Sequence, residues 1–411
     1  MTLTLAEPPD APWRDPGAFW PSLDEATREL DPPFGVIDAT ALAHNAFDML
    51  RRAGGRSIRV ASKSVRVRGV LEAVLALPGY RGVLAFTLAE ALWLAEHGVD
   101  DVVVGYPSAD RGAIAALAHD PRLASRIALM VDSIDQLDLV DAVAPPGSRE
   151  TLRLCLELDA SWDSRLVGFT GVRRSPVHTP DQARSLAERI AARREFRLVG
   201  MMGYEAQIAG VVNQPPGNPV RGVLVRWMQR SSAAELAERR AAAVARVREI
   251  AELEFVNGGG TGSLESTSAD GSVTEIAAGS GLFGPHLFDG YRQFRLAPAA
   301  SFALSVVRKP GPRMATLHGG GWVASGPPAP DRVPKPVWPE GLRMLPREMA
   351  GEVQTPVTGR AASALAVGDR VWFRHTKAGE LSEHLNELFV VDRGRVVAAL
   401  PTYRGEGKVF L

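Results

Sequence analysis

Residues 253–284 read LEFVNGGGTGSLESTSADGSVTEIAAGSGLFG. Two short apolar runs, LEFVNGG (253–259) and VTEIAAG (273–279), each end in a loop of glycines and hydroxyl side chains. A run of this length bounded by glycine reads as a buried strand, and a loop with few Cβ atoms lets backbone N–H groups converge on an anion. Toward the N-terminus six more runs have the same texture: SIRVAS (57–62), GVLAFT (82–87), DVVVGY (101–106), RIALMVD (126–132), LRLCLELD (152–159) and LVGMMGYE (198–205). Between the runs lie stretches of helical period, such as TLAEALWLAEHG (87–98), closed by a helix-stopping Gly98, and SSAAELAERRAAAVARVREIAELE (231–254). Eight strand signals alternating with helix signals predict a closed (β/α)8 TIM-type barrel around a parallel sheet. An open doubly wound sheet is the competing architecture.

Beyond residue 295 the texture changes. FALSVVRKP, MATLHGGGWVAS, DRVWFRH, LFVVDRGRVVAALPTYRG and KVFL read as short strands between Gly and Pro turns, which predicts a C-terminal β domain. We expect an N-terminal arm over 1–32, with five prolines in its first 30 residues, a barrel over 33–292, and the β domain over 293–411. FGVIDATALAHNAFDMLRRAGG (34–55) reads as a strand and a helix, and the strand at 34–38 is placed to pair with the β domain.

The 411 residues carry 47 basic against 47 acidic side chains, so no global field favours nucleic acid or an anionic membrane as partner. A small ligand fits better. The start, MTLTLAEPPDAPWRD, has neither a basic n-region nor an apolar h-region, and no run is long enough to span a bilayer, so we expect a soluble, cytoplasmic protein. One cysteine, Cys155, excludes an internal disulfide and any multi-cysteine metal site. The chain writes its cations as 42 Arg against 5 Lys, and Lys63 is the only lysine before Lys309. A lysine kept in such a chain points to amine chemistry that guanidinium cannot do; the plain alternative is a solvated strand-end side chain.

In a barrel of this kind ligands sit at the carboxyl ends of the strands, and phosphate is held by the loops after the seventh and eighth. Those loops are Gly258, Gly259, Gly260, Thr261, Gly262 and Gly279, Ser280, Gly281. Lys63 falls at the end of the first strand, on the rim where the phosphate loops belong. A rim amine and an anion cup are what pyridoxal 5'-phosphate requires.

At this point the sequence resembles a known family. FGVIDATALAHNA, RVASKSV, DVVVGYP, MVDS, GVRRSPVHTPDQA, GMMGYEAQIAG, FVNGGGTGS, TEIAAGSGLFGP and GDRVWFRHTKAGEL are similar to stretches of the fold type III pyridoxal-phosphate enzymes, which have an alanine-racemase-like barrel and a C-terminal β domain. The similarity covers nearly the whole chain and falls in the D-threonine aldolase and D-serine dehydratase branch, among proteins labelled amino acid deaminase/aldolase. Alanine racemases carry an aromatic-Gly-His-Gly stretch after the lysine, where this chain reads SVRVRG; the Cys-Asp-x-Gly-Ser motif of the basic-amino-acid decarboxylases is absent. The small cofactor carriers of the group lack any β domain.

The resemblance implies Lys63 as the Schiff-base lysine and the two glycine loops as the phosphate cradle. It implies Arg174 against the cofactor's phenolate oxygen or ring nitrogen, with Arg173 as its alternative and a surface arginine as the plain reading. It puts Tyr204 and Gln207 near the ring and substrate. Asp132 ends the fourth strand as either a site carboxylate or a helix cap, and His178 and Thr179 read as a helix start. Related aldolases and dehydratases hold a divalent metal with a His-x-Cys or His-x-Asp pair; this chain reads His375, Thr376, Lys377. An ammonium is no metal ligand, so Lys377 is expected to replace the cation with His375 as acid or base. The alternative is that Glu380, Glu383 or His384 rebuilds a metal site with His375. The implied activity is a lyase on small D-configured 3-hydroxy amino acids, either aldol cleavage or dehydration, in a homodimer. A racemase or epimerase, needing a second base such as a tyrosine, and a non-catalytic cofactor-binding barrel are the other classes considered.

Overall fold

The computed structural model describes residues 3–327 and 329–411. Contacts divide the chain into two compact units, one formed by 49–62, 78–279 and 410–411, the other by the described residues of 1–48, 63–77 and 280–409.

The first unit is built on a closed barrel of eight parallel strands: Ser57–Ala61, Tyr80–Ala85, Val102–Val104, Ile127–Val131, Leu152–Glu157, Phe196–Gly203, Phe255–Gly258 and Glu275–Ala278. They are the eight runs of the sequence, in chain order, and the circle closes where Ala278 pairs with Val60. Each run is apolar throughout because both faces are covered. Alternate residues fall into separate clusters. One contains strand residues alone, among them Leu84, Val103, Met130, Cys155, Met202 and Ala277, and is the barrel interior. The other joins Val104, Leu129, Leu154 and Val256 to helix residues such as Ile114, Leu137, Leu186 and Val244. Side-chain caps start the surrounding helices: Thr87 accepts the N–H of Glu90, Thr179 that of Gln182, and Asn218 that of Arg221 at the head of Pro219–Arg248. Among the described residues no helix is long and apolar enough to cross a membrane.

Inside the barrel Arg59 is almost wholly buried, at 1% exposure. Its guanidinium meets Glu275 at 2.7 and 3.0 Å and Asp101 at 2.9 and 3.1 Å, while Asn257 donates to Glu275 at 2.8 Å.

The second unit holds a nine-stranded sheet. Phe34–Asp38 runs through its middle, antiparallel to Ala300–Gly311 with Val36 opposite Ser301, and parallel to Glu387–Asp392 with Val36 opposite Phe389. Within the expected N-terminal arm, Pro16–Ala26 is a packed helix. Pro16 occupies the first helical turn, where no N–H bond is lost, after an Asp15 that caps Ala18; Pro21 stands inside the helix, and the burial of Phe19, Trp20 and Leu23 holds the helix together in spite of it. Phe19, Trp20 and Leu23 are buried with Phe34, Val36 and Trp372, and the Trp372 indole N–H donates to Asp24 at 2.9 Å.

Removing one partner of a buried ion pair strands the others in a dry interior. Arg59→Ala is therefore expected to cost about 3–5 kcal/mol in urea unfolding, whereas Arg81→Ala, which removes an exposed arginine, should stay within about 0.5 kcal/mol.

Candidate active site

Three side chains stand two residues beyond interior-facing positions of the barrel strands: Asp132 after Met130, Glu157 after Cys155, and Tyr204 after Met202. The alternation of a strand carries them to the mouth at its carboxyl end. Arg174, from the segment after the fifth strand, joins them. Its guanidinium lies 3.5 Å from Glu157 and over the rings of Tyr106 and Tyr204, at 4.6 and 5.2 Å from their centroids. The segment is anchored by the Ser175 hydroxyl, which donates to the Glu157 carbonyl at 2.8 Å. Arg173 turns out to solvent and stacks on Phe169 at 4.2 Å, so of the two arginines Arg174 is the one at the mouth.

Glu157 is 2% exposed, and its Oε1 lacks a hydrogen-bond partner. Burial pushes its pKa up to about 7; Arg174 pulls it down, while Asp132 and Asp159 push the same way as burial. Burial also raises Asp132, against a hydrogen bond from Gln136, and raises the Tyr204 phenol. Asp132 accepts from Gln136 Nε2 at 2.7 Å; the residue after it, Ser133, is the helix cap. His178 bonds to Asp159 at 3.1 Å, and Thr179 caps the helix Pro180–Ala191. Gln207 does not end a strand. It sits in the short helix Ala206–Ala209, where its amide donates to the Ala160 carbonyl at 2.7 Å and Ser232 Oγ at 2.8 Å.

The loop after the seventh strand is held from below. Gly259 has φ +85°, and a Cβ there would come within 2.7 Å of Ile276. Its N–H donates to Glu205 at 2.8 Å, and Thr267 Oγ1 donates to the same carboxylate at 2.7 Å. Arg240 lies 3.3 Å from Glu205 and 3.1 Å from Asp270, all four of these side chains being buried. The Gly260 N–H goes to Ser263 Oγ at 3.1 Å, and the Thr261 carbonyl accepts from Arg52 at 2.7 Å. Gly259 and Gly260 thus shape the loop by lacking side chains, since their own amides are already committed. In the loop after the eighth strand, a Cβ on Gly279 would lie 2.3 Å from the Ala61 carbonyl.

In the second unit Lys63 occupies the 3-10 turn Ser62–Ser64 that follows the first barrel strand. Its carbonyl accepts from Arg66 Nε at 3.0 Å, and Ser64 Oγ meets Ser280 Oγ at 2.9 Å. Gly281 is buried in the short helix Ser280–Phe283. Segment 379–383 packs on the lysine turn: Ser382 Oγ donates to the Val65 carbonyl at 2.8 Å, Arg66 pairs with Glu383, and a Cβ on Gly379 would lie 2.3 Å from the Lys63 carbonyl. His375 is 1% exposed, with Phe283 edge-on to its ring. Neither ring nitrogen makes a well-formed hydrogen bond, and burial holds the imidazole pKa below its ordinary value, with Arg374 and His286 acting in the same direction against Glu380.

Sequence reasoning singled out neither Glu157 nor Glu205. The signal was present as a carboxylate at the end of an otherwise apolar run in LRLCLELD, and as one directly after Tyr204 in GMMGYEAQ.

Residues 37–286 match the family described as alanine racemase, N-terminal domain. The chain belongs to that family. Two 3-hydroxy-D-aspartate aldolases of Paracoccus denitrificans, one from strain Pd 1222, are 28% identical over 270 residues and 27% over 279, each match covering 64% of this chain. The match spans 62% of each relative, short of two thirds of its length. Among solved structures, D-threonine aldolase from Filomicrobium marinum superposes with TM-score 0.75 at 21% identity, over 92% of this chain and 96% of that one. D-threo-3-hydroxyaspartate dehydratase from Delftia sp. HT23 gives 0.66 at 19%, over 91% and 97%, and alanine racemase from E. faecalis 0.57 at 15%, over 86% and 92%. The barrel with a C-terminal strand domain is therefore the alanine racemase-like fold that the sequence implied.

In this member of the alanine racemase family, Glu157 binds its proton more tightly folded than unfolded. That contribution to stability is full below about pH 4.5 and is lost as pH rises through about 7. Glu157→Gln should therefore gain on the wild type between pH 5 and pH 8, by about 1–3 kcal/mol in urea unfolding across that range.

Proposed function

We propose that the chain is a pyridoxal-phosphate-dependent lyase acting on small D-configured 3-hydroxy amino acids. The observation that carries this reading is chain order on a closed barrel: a lysine turn directly after the first strand, and glycine loops directly after the seventh and eighth. Its chemical sense is supported by what the residues fit. A Cβ on Gly259 would collide with Ile276 and one on Gly279 with the Ala61 carbonyl, so these glycines fix the course of the two loops that this reading assigns to the phosphate. Tyr106, Tyr204 and Arg174 offer flat faces and one cation, which suits an anionic aromatic ring. The donor set thus fits the cofactor that the family implies. In this reading Lys63 Nζ holds its aldehyde, the loops at 258–262 and 279–281 hold its phosphate, and Arg174 and Tyr204 border its ring.

When bound, the cofactor supplies an electron sink conjugated to the substrate's α-carbon. The chain's own residues supply proton handling. Lys63 Nζ would serve as the base for the substrate's Cα proton in a dehydration. In an aldol cleavage a base instead takes the β-hydroxyl proton, and glycine and an aldehyde leave. Tyr204, with its phenol pKa raised by burial, stays protonated and is available as a donor to the substrate. Glu157, poised at about 7 beside Arg174, holds or sheds a proton near neutral pH and so sets the net charge against the ring. The resemblance to fold type III enzymes further supports a homodimer.

Both branches are represented among the relatives: the curated ones are named as aldolases, and one solved structure as a dehydratase. The deciding experiment is an absorbance spectrum of purified wild type and Lys63→Ala, followed by D-serine, D-threonine and D-threo-3-hydroxyaspartate as substrates. A visible cofactor band should be present in the wild type and missing in the variant, with turnover reduced by about 10²–10⁴-fold. Pyruvate or 2-oxobutyrate marks dehydration; glycine with an aldehyde marks cleavage. A wild type that shows no band after reconstitution with pyridoxal phosphate would overturn the reading.

A further inference from the structure

The resemblance implies a divalent cation near His375, and the residues present do not fit one. An ion of that kind needs several N, O or S donors converging with lone pairs available. The residue two after His375 is Lys377, whose ammonium has no lone pair to give. Glu380 is turned back on its own loop, where its carboxylate accepts the N–H groups of Thr376 at 2.8 Å, Lys377 at 2.6 Å and Ala378 at 2.8 Å. Glu383 is paired with Arg66. His384 is stacked face to face on Trp322, with ring centroids 5.2 Å apart and planes 5° apart. Glu380 lies near enough to act on the charge of His375, but both its oxygens are taken by amides, Glu383 is held by Arg66, and the His384 ring is held flat on Trp322. Among the described residues no group of three or more His, Cys, Asp or Glu is placed to hold a metal ion.

The same loop brings a cation of another kind. Glu380, by gathering three successive amides, fixes the backbone of 376–378, and Gly379 then lies so close to the Lys63 carbonyl that no Cβ would fit. The turn that presents Lys377 is therefore built directly against the turn that presents Lys63. Two of the five lysines in a chain with 42 arginines lie on these adjoining turns. An ammonium is a compact point charge on a flexible stem, whereas guanidinium is a planar fork suited to fixed carboxylates.

From this we propose that the chain works without a divalent metal, and that the Lys377 ammonium is the cation that takes the substrate oxygen. The inference rests on the lyase reading above. It assigns Lys377 a hydrogen-bonding and electrostatic role that is worth more as charge builds on that oxygen, so its removal falls on kcat more than on KM.

The test uses the holoenzyme purified without chelator, with metal content measured by inductively coupled plasma mass spectrometry before and after EDTA. We expect well below one divalent ion per chain, a cofactor band and turnover unchanged by EDTA, and no rise in Tm on adding Mn²⁺ or Zn²⁺. Lys377→Met should keep the cofactor band, which reports an intact Lys63 site, while kcat falls by about a hundredfold or more. Lys377→Arg, which keeps the charge, should retain more turnover than Lys377→Met. One tightly held divalent ion per chain, with turnover lost on chelation and restored by metal, overturns the proposal. So does Lys377→Met with wild-type kcat, or equal losses in the two variants. A wild type without a cofactor band refutes the lyase reading instead, and the metal content reports separately.

Discussion

The pairing of the eighth barrel strand with the first is the constraint on which the site depends. It closes the sheet, with Ala278 beside Val60, and so ends all eight strands on one rim. It also brings the chain after Ala278 so near the Ala61 carbonyl that only a residue without Cβ fits at position 279. The glycine that opens the second loop is therefore required by barrel closure before any ligand is considered. The first strand, whose neighbour that loop becomes, runs two residues on into Lys63. Closure thus converts two distant stretches of sequence into neighbours, and no local propensity could do that.

A second constraint is electrostatic. The mouth of the barrel collects carboxylates at strand ends, and burial makes each expensive to ionise. Glu157 and Glu205, both buried there, are placed differently. Glu205 receives an amide, a hydroxyl and the Arg240 guanidinium, and becomes a fixed support for the glycine loop. Glu157 has Arg174 at 3.5 Å and an oxygen without a hydrogen-bond partner, so its proton affinity rises toward neutrality. Similar chemistry gives a structural post in one place and a titratable group in the other, the difference being the number of donors that face it.

Much of the fold was legible because a parallel barrel buries both faces of its strands, so its runs are apolar without interruption. Lys63 stands out in the sequence through rarity, and the two loops through glycine content. What escaped were features that need the third dimension. Glu157 faces inward by parity with Cys155, a relation visible only once that strand is known to line the interior. Arg173 and Arg174 are chemically identical in sequence, and one residue of register turns the first to solvent and the second onto Tyr106 and Tyr204. Gln207 lay one helical turn past the strand end and spends its amide on Ala160 and Ser232. The N-terminal helix was hidden because its prolines read as breakers; it forms because Pro16 stands in the first turn and the burial of Phe19, Trp20 and Leu23 offsets Pro21.

The bias toward arginine now has a structural meaning. Arg52, Arg59, Arg66, Arg240 and Arg374 are each tied to a carboxylate: Glu265, Glu275 and Asp101, Glu383, Asp270, and Asp289. Several are also bonded to a backbone carbonyl, as Arg52 is to Thr261 and Arg374 to Gly284. These are fork-shaped contacts in which a guanidinium loses little freedom and satisfies several acceptors at once. A point charge cannot make two parallel bonds to one carboxylate, so lysine has no advantage at any of these posts. Where the task is instead to form a bond to carbon, or to meet an oxygen whose position shifts during a reaction, the planar fork is the wrong shape and the ammonium the right one. A chain that fills its structural cations with arginine keeps few lysines, and two of its five stand on the adjoining turns at 63 and 377, where the proposed chemistry would use an amine and an ammonium.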